Sequence, residues 1–200
     1  MLSLAEGRLL VKITRRTIKT YLQEGKTPPA PEVPPKLKEP HGVFVTLTKN
    51  GELRGCIGHP MPTMPLIDAL IDSAVSSATR DPRFPPVELD EFSEAEVEVS
   101  VLSKPELIKV KHPREYPSAI VIGKDGLIVE SGWYAGLLLP QVPVECGWDS
   151  EEFLSHACMK AGLTPDAWLD RDVKISKFSA QLFKEKKPGG EVEGHKLVEK

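Results

Sequence analysis

The run Gly42-Val43-Phe44-Val45-Thr46-Leu47-Thr48-Lys49-Asn50-Gly51-Glu52-Leu53-Arg54-Gly55-Cys56-Ile57-Gly58 decides the fold. Residues 42–48 are rich in β-branched and aromatic side chains, a composition that suits a pleated, half-buried surface. Asn50-Gly51 follows, and a type I′ turn needs positive φ at both central residues, which these two residue types tolerate. Residues 52–58 return as the second strand. A two-residue turn sets Cys56 opposite Val45 and Arg54 opposite Leu47. Arg54 and Cys56 then share one face, and Leu53 and Ile57 the other.

Working outward, Leu66, Ile67, Leu70, Ile71, Ala74 and Ala78 fall on one helical face. Asp81-Pro82 ends that helix, because the residue before proline avoids the α region. Residues 95–102 set Val97, Val99 and Val101 against Glu96, Glu98 and Ser100, the alternation of a half-buried strand. A similar order recurs downstream. Residues 120–122 and 127–129 flank Lys124-Asp125-Gly126 as a second hairpin, and residues 136–139 form a further short strand. Asp149 with Glu152 makes a capping box ahead of a helix carrying Phe153, Leu154, Ala157, Cys158 and Ala161. Residues 173–183 form a late strand. Two β-β-α-β-like halves joined by long crossovers predict an α+β fold, with antiparallel or mixed sheets flanked by helices.

Before the first hairpin, residues 3–23 place Leu4, Val11, Ile18 and Leu22 on one stripe of an amphipathic helix. Lys12, Arg15, Arg16 and Lys19 lie off the stripe and read as a solvated face. Six prolines within residues 26–40 exclude a helix or central strand there and predict a surface strap. The division expected is 1–104 for the first subdomain, 105–186 for the second, and 187–200 for a mobile tail whose glycines leave little to pack.

The 200 residues are 40% hydrophobic and 28% charged, enough apolar material for a core. A net charge of −3 does not indicate a broadly basic nucleic-acid-binding surface and leaves room for a local basic patch. No apolar run reaches the roughly 18–20 residues of a membrane helix, and residues 1–12 lack the apolar core of a signal peptide. Three widely spaced cysteines, Cys56, Cys146 and Cys158, make no disulfide framework and point to the reducing cytoplasm. One Asn and three Gln amid many Glu, Lys and Pro match a thermophilic composition.

The densest chemical signal is residues 53–58 with His59. Arg54 can hold a carboxylate or phosphate with two parallel hydrogen bonds. Its charge beside Cys56 would lower the thiol pKa, and His59 would supply a base if the chain turned back after Gly58. Gly55 and Gly58 would let a ligand or another backbone come close. The plainer alternative is a buried, structural cysteine with glycines that only permit a bulge. Asp81 and Arg83 would line a cleft at the helix exit, or else close a local ion pair while Phe84 plugs the core. Gln141 would rim a pocket before the capped helix. No metal-ligand spacing, P-loop or dinucleotide fingerprint occurs, so neither metal nor cofactor is expected.

These residues also carry a family resemblance. Leu-Arg-Gly-Cys-Ile-Gly at 53–58 resembles the signature of the AMMECR family, known from the human chromosomal region for Alport syndrome, intellectual disability, midface hypoplasia and elliptocytosis. Residues 42–47, Asp81-Pro82-Arg83-Phe84, residues 97–102 and 137–142, Trp148-Asp149, and Cys158 with residues 160–163 fit as well. The likeness runs from about residue 4 to 183. It implies a compact α+β protein of two subdomains, with the signature near their cleft and an activity not settled between enzymatic and regulatory. It also implies a pathway shared with a MEMO-type protein and a radical S-adenosylmethionine protein. Two functional readings follow. The preferred one is a cytosolic regulatory or ligand-binding protein anchored on Arg54. The alternative is an enzyme, or enzyme accessory, with Cys56 as nucleophile on a small anionic substrate.

Overall fold

A computed structural model describes residues 2–196. In chain order its elements are α1 (Leu4–Glu24), β1 (Gly42–Lys49), β2 (Glu52–His59), α2 (Leu66–Thr79), α3 (Leu89–Phe92), β3 (Ala95–Leu102) and β4 (Glu106–Leu107). They continue with β5 (Gly126–Ser131), β6 (Tyr134–Leu138), α4 (Gln141–Cys146), α5 (Ser150–Lys160), β7 (Lys174–Phe178), β8 (Ala180–Glu185) and β9 (Val192–Lys196). Helices with two sheets make the α+β fold expected from the sequence. The chain divides into two compact units, one of residues up to Leu102 together with Gln181–His195, the other Ser103–Ala180.

In the first unit the strand order is β2-β1-β3-β8-β9. Asn50 and Gly51 adopt φ of 52° and 82°, the left-handed pair that a type I′ turn demands. α1 starts at Ser3, whose side chain and that of Glu6 form a capping box, and ends at the left-handed Gly25. Its buried face is Leu10, Val11, Ile13, Thr14, Thr17 and Ile18, whereas Leu4 is exposed. Gly7 lies on the buried face because the Phe183 ring fills the space of a Cβ, 2.0 Å away. These side chains, with Val43, Val45, Leu47, Val97, Val99 and α2, form one apolar core.

The second unit repeats the scheme. β5 is flanked by β6 and β7, as β1 is flanked by β2 and β3, and all pairings in the sheet β4-β7-β5-β6 are antiparallel. α5 begins at the Asp149–Glu152 capping box and buries Phe153, Leu154, Ala157 and Cys158 in a separate core.

Three expectations need correction. Residues 120–122 are not a strand. The Asp125 carboxylate accepts the Val121 N–H at 2.9 Å and closes the turn on itself, so the hairpin is β5–β6 across Gly132, at φ 58°. Residues 173–183 are not one strand, because the chain changes sheets at Ser179, which is bonded to Ser103 through both its N–H and its C=O. The tail is not all mobile. The Lys186 N–H bonds to the Glu191 C=O, Val192 is buried in the first core, and β9 pairs with β8. Backbone pairing supplies the order that its glycine-rich side chains do not. Residues 197–200 of the expected tail lie outside the described residues.

Candidate functional site

β2 is an edge strand, and its register departs from the simple hairpin. Cys56 pairs with Thr46, Gly55 with Leu47 and Leu53 with Thr48, leaving Arg54 as the extra residue of a β-bulge. The expected pairs, Cys56 with Val45 and Arg54 with Leu47, are therefore one residue out. A bulge re-aims a side chain. Here it sends Arg54 to Glu91 on α3, with Nε to Oε1 at 2.7 Å and Nη2 to Oε2 at 3.0 Å. Arg54 and Lys49 hold the Glu91 carboxyl below its ordinary range, Arg54 chiefly through its hydrogen bonds. Only 14% of the Arg54 side chain is exposed, so its charge is already matched within the chain.

The two signature glycines are required by packing. A Cβ on Gly55 would stand 2.1 Å from the Ser77 carbonyl oxygen of α2, and one on Gly58 would stand 2.2 Å from that of Val43. The close approach expected beside them is made by the chain's own backbone.

Cys56 turns its N–H and C=O to the outer edge of β2. Asp81 accepts the N–H at 2.8 Å, and Arg83 Nη2 donates to the C=O at 3.3 Å. Asp81 and Arg83 are joined by Nε to Oδ1 at 2.9 Å and Nη2 to Oδ2 at 2.7 Å. This ionic pair stands where a further strand would put its own N–H and C=O. Asp81 is buried, yet the Arg83 hydrogen bonds hold its carboxyl far below the usual range, helped by the Cys56 amide. Phe84 is half-buried and outside the core. Its ring centre lies 5.8 Å from the Arg54 guanidinium and 5.6 Å from that of Arg83, within cation–π reach.

The Cys56 thiol accepts a hydrogen bond from Thr46 Oγ1 at 3.3 Å. Burial pushes its pKa up, and the opposing influences of the Thr46 hydroxyl and Arg83 are smaller. The lowered thiol pKa expected from Arg54 is not found. His59 does not serve the thiol either. The strand runs on to His59 without turning back, and three residues along a strand reverse the face. His59 pairs with Val43, and its Nε2 lies 2.8 Å from Asp72 Oδ2 of α2.

The first unit thus brings Arg54, Gly55, Cys56, Gly58, Asp81 and Arg83 to one edge strand and its clip, with Phe84 within cation–π reach of both guanidiniums. Gln141 belongs to the second unit, at the start of α4, where its Oε1 is buried without a hydrogen-bond partner. Glu91 and Thr46 were missed as site residues. Glu91 carries no local signal, and Thr46 becomes a partner of Cys56 only through the bulge. Among the described residues no three His, Cys, Asp or Glu side chains gather as a metal would need.

An edge-strand signature clipped by Asp81 and Arg83, on a duplicated β-β-α-β scheme, matches known proteins over most of the chain. The AMMECR1 family model matches residues 11–183, and the chain belongs to the AMMECR1 family. It is similar to protein MJ0810 of Methanocaldococcus jannaschii, 55% identical over 200 residues that cover 99% of each chain. A protein of Methanothermobacter thermautotrophicus is 55% identical over 185 residues, 92% of this chain and 96% of its own. The crystal structure of the uncharacterized protein PH0010 from Pyrococcus horikoshii superposes with a TM-score of 0.90 at 53% identity, covering 96% of this chain and 98% of that one.

Proposed function

We propose that this AMMECR1-family chain is a regulatory or ligand-binding protein rather than an enzyme, and that the surface of Arg83 and Phe84 beside Arg54 receives an anionic group. The observation that carries this reading is the state of Cys56. Partial burial raises its pKa rather than lowering it, and His59 faces away from it. A nucleophilic cysteine needs a thiolate and a neighbouring base. The guanidinium of Arg83, by contrast, is half exposed, is aimed by Asp81, and lies over an aromatic ring. That arrangement suits a carboxylate or phosphate carried by a small ligand or a protein surface. Arg54, neutralised by Glu91, then supports Phe84 rather than binding the anion itself.

The reading takes the compartment to be the reducing cytoplasm, consistent with three free thiols. No described helix is long and apolar enough to cross a membrane. MEMO-type and radical S-adenosylmethionine proteins are the partners in which to seek a matching acidic surface. The test is a titration of isotope-labelled protein with small carboxylates and phosphates, followed by amide shifts along β2 and residues 81–84. Binding that is lost in Arg83→Ala and Phe84→Ala but survives Cys56→Ser supports the proposal. A covalent adduct on Cys56, or binding abolished by Cys56→Ser alone, refutes it.

A further inference from the structure

The outward face of α1 carries Arg8, Lys12, Arg15, Arg16 and Lys19, five cations in a chain of net charge −3. Two of them have acidic partners. Arg15 is bonded through Nε to the buried Glu185 at 2.6 Å, and Arg8 lies 3.6 Å from Glu191. Lys12, Arg16 and Lys19 have no acidic partner among the described residues. Within the helix, each has only neutral or basic neighbours three and four positions away. Like charges at that spacing work against a helix, and an ordinary solvated face intersperses acids among them. Lys12 and Lys19 are seven residues apart, about 10 Å along the axis.

The ridge also has a groove beside it. A cavity of about 590 Å³ runs between α1 and the turn that joins β8 to β9. Buried Val11 and Val192 are among its lining residues, and Lys12, Arg16 and Lys19 stand at its rim. Its far wall is Gly189 and Gly190 together with Glu185 and Glu191, and both carboxylates are already ion-paired, Glu185 with Arg15 and Glu191 with Arg8 and Lys186. A second hollow of about 470 Å³, lined in part by Phe92 and Leu89, shares Arg15, Lys19 and Gly189 with the first. An apolar floor with cations at one edge, in the size range of small-molecule sites, suits an amphiphilic anion rather than a bare salt ion.

We infer that this groove binds a phosphorylated small molecule bearing two or more phosphates and an apolar or aromatic body. The phosphates lie along Lys12, Arg16 and Lys19, and the body rests on Val11 and Val192 against the two glycines. The site shares no residue with the edge of β2, so it stands or falls separately from the function proposed there. Arg15 is a positioning residue: Glu185 and the Ala95 carbonyl, which accepts from its Nη2, hold it as the inner wall.

The experiment is calorimetric titration of the full chain with ATP, tripolyphosphate and adenosine at about 0.1 M salt, where surface charge is partly screened. Lys12→Gln/Arg16→Gln/Lys19→Gln removes the ridge but keeps good helix formers. Lys104→Gln/Lys109→Gln/Lys111→Gln removes the same charge from the second unit. ATP is expected to bind more tightly than tripolyphosphate, and adenosine not at all over the same range. The ridge variant should lose affinity by about tenfold or more, as three charge-assisted contacts would give, and the control less than about twofold. If the ridge variant melts early, Lys12→Gln and Lys19→Gln singly should each weaken ATP by about two- to fivefold. Amide shifts should fall on Gly189 and Gly190.

Absence of ATP and tripolyphosphate binding overturns the inference, as does an equal loss in the control or full affinity in a folded ridge variant. Equal affinity for tripolyphosphate and ATP overturns the seat assigned to the body. An RNA or acidic peptide that binds the ridge when ATP does not assigns it to a macromolecule and also overturns the inference.

Discussion

Asp81 accepts the amide proton of Cys56 at 2.8 Å, on the side of β2 that carries no neighbouring strand. Arg83 completes the contact by donating to the Cys56 carbonyl. An open strand edge invites pairing with another chain. Here two side chains just past the end of α2 close that edge at the centre of the signature. The same contact fixes the backbone on which the thiol sits, so the stability of the site and its chemistry are linked through one carboxylate.

Removing that carboxylate leaves a partly buried N–H without its partner and Arg83 without its anchor. Asp81→Ala should destabilise the protein by about 2 kcal/mol, the scale of a lost hydrogen bond to a charged group. Urea unfolding measures it. Asp81→Asn should cost less, because its carbonyl oxygen can still accept from Cys56. Equal stability of Asp81→Ala and wild type would show that the clip contributes nothing.

The same group gives stability a pH dependence. The Arg83 hydrogen bonds hold the folded Asp81 carboxyl below the 3.8 of the unfolded chain. As pH falls, the unfolded state therefore takes up its proton first. The contribution is fully present above about pH 4 and is lost as pH drops through the folded value. Glu91, lowered chiefly by its hydrogen bonds with Arg54, acts with the same sign. Unfolding free energies measured from neutral to acid pH should fall more steeply below about pH 4 in the wild type than in Asp81→Asn.

Gly55 and Gly51 should respond differently to alanine. At Gly55 the new methyl meets backbone of α2 at 2.1 Å, and backbone cannot rotate aside. At Gly51 nothing lies within 4 Å, and only the positive φ of 82° opposes the change. Gly55→Ala should cost about 3 kcal/mol or prevent folding, and Gly51→Ala about 1 kcal/mol. Thermal melts of the two variants give the ranking, and the reverse order would contradict the packing described for α2 on β2.

Arg15 and Glu185 form a largely buried pair in which Glu185 also accepts the Val97 N–H at 3.0 Å. Glu185→Ala strands a guanidinium and a backbone donor together. A loss of about 3–5 kcal/mol is expected by denaturant unfolding, the usual consequence of breaking a buried pair on one side.

Much of this fold was legible because its signals are local. Asn50-Gly51, the Val97-Val99-Val101 alternation, the Asp149–Glu152 box and the Asp81-Pro82 stop each act within a few residues. What escaped was set by distant partners. The bulge at Arg54 follows from the reach to Glu91 and from α2 lying on Gly55, and no pattern within residues 52–58 announces it. Because of that single extra residue, Cys56 faces Thr46 rather than Val45. The sheet change at Ser179 depends on Ser103, far off in sequence. Strand β9 was hidden because its order comes from backbone pairing, in a segment whose glycines suggested none. For the site, the residue types were legible, but their charge balance was not: Arg54 is neutralised by Glu91, and the thiol is governed by burial.

The central claim is that Cys56 is a protected thiol at a binding edge and not an activated nucleophile. The most direct test is the pH dependence of alkylation of Cys56 in the native protein, with Cys146→Ser and Cys158→Ser removing the other two thiols. Slow modification is predicted, with an apparent pKa above the free-thiol value of roughly 8.5. The rate should rise in Asp81→Ala as the edge loosens, and His59→Ala should leave the profile unchanged. Rapid alkylation with an apparent pKa well below that value, dependent on Arg54 or His59, would contradict the account and make Cys56 a catalytic residue.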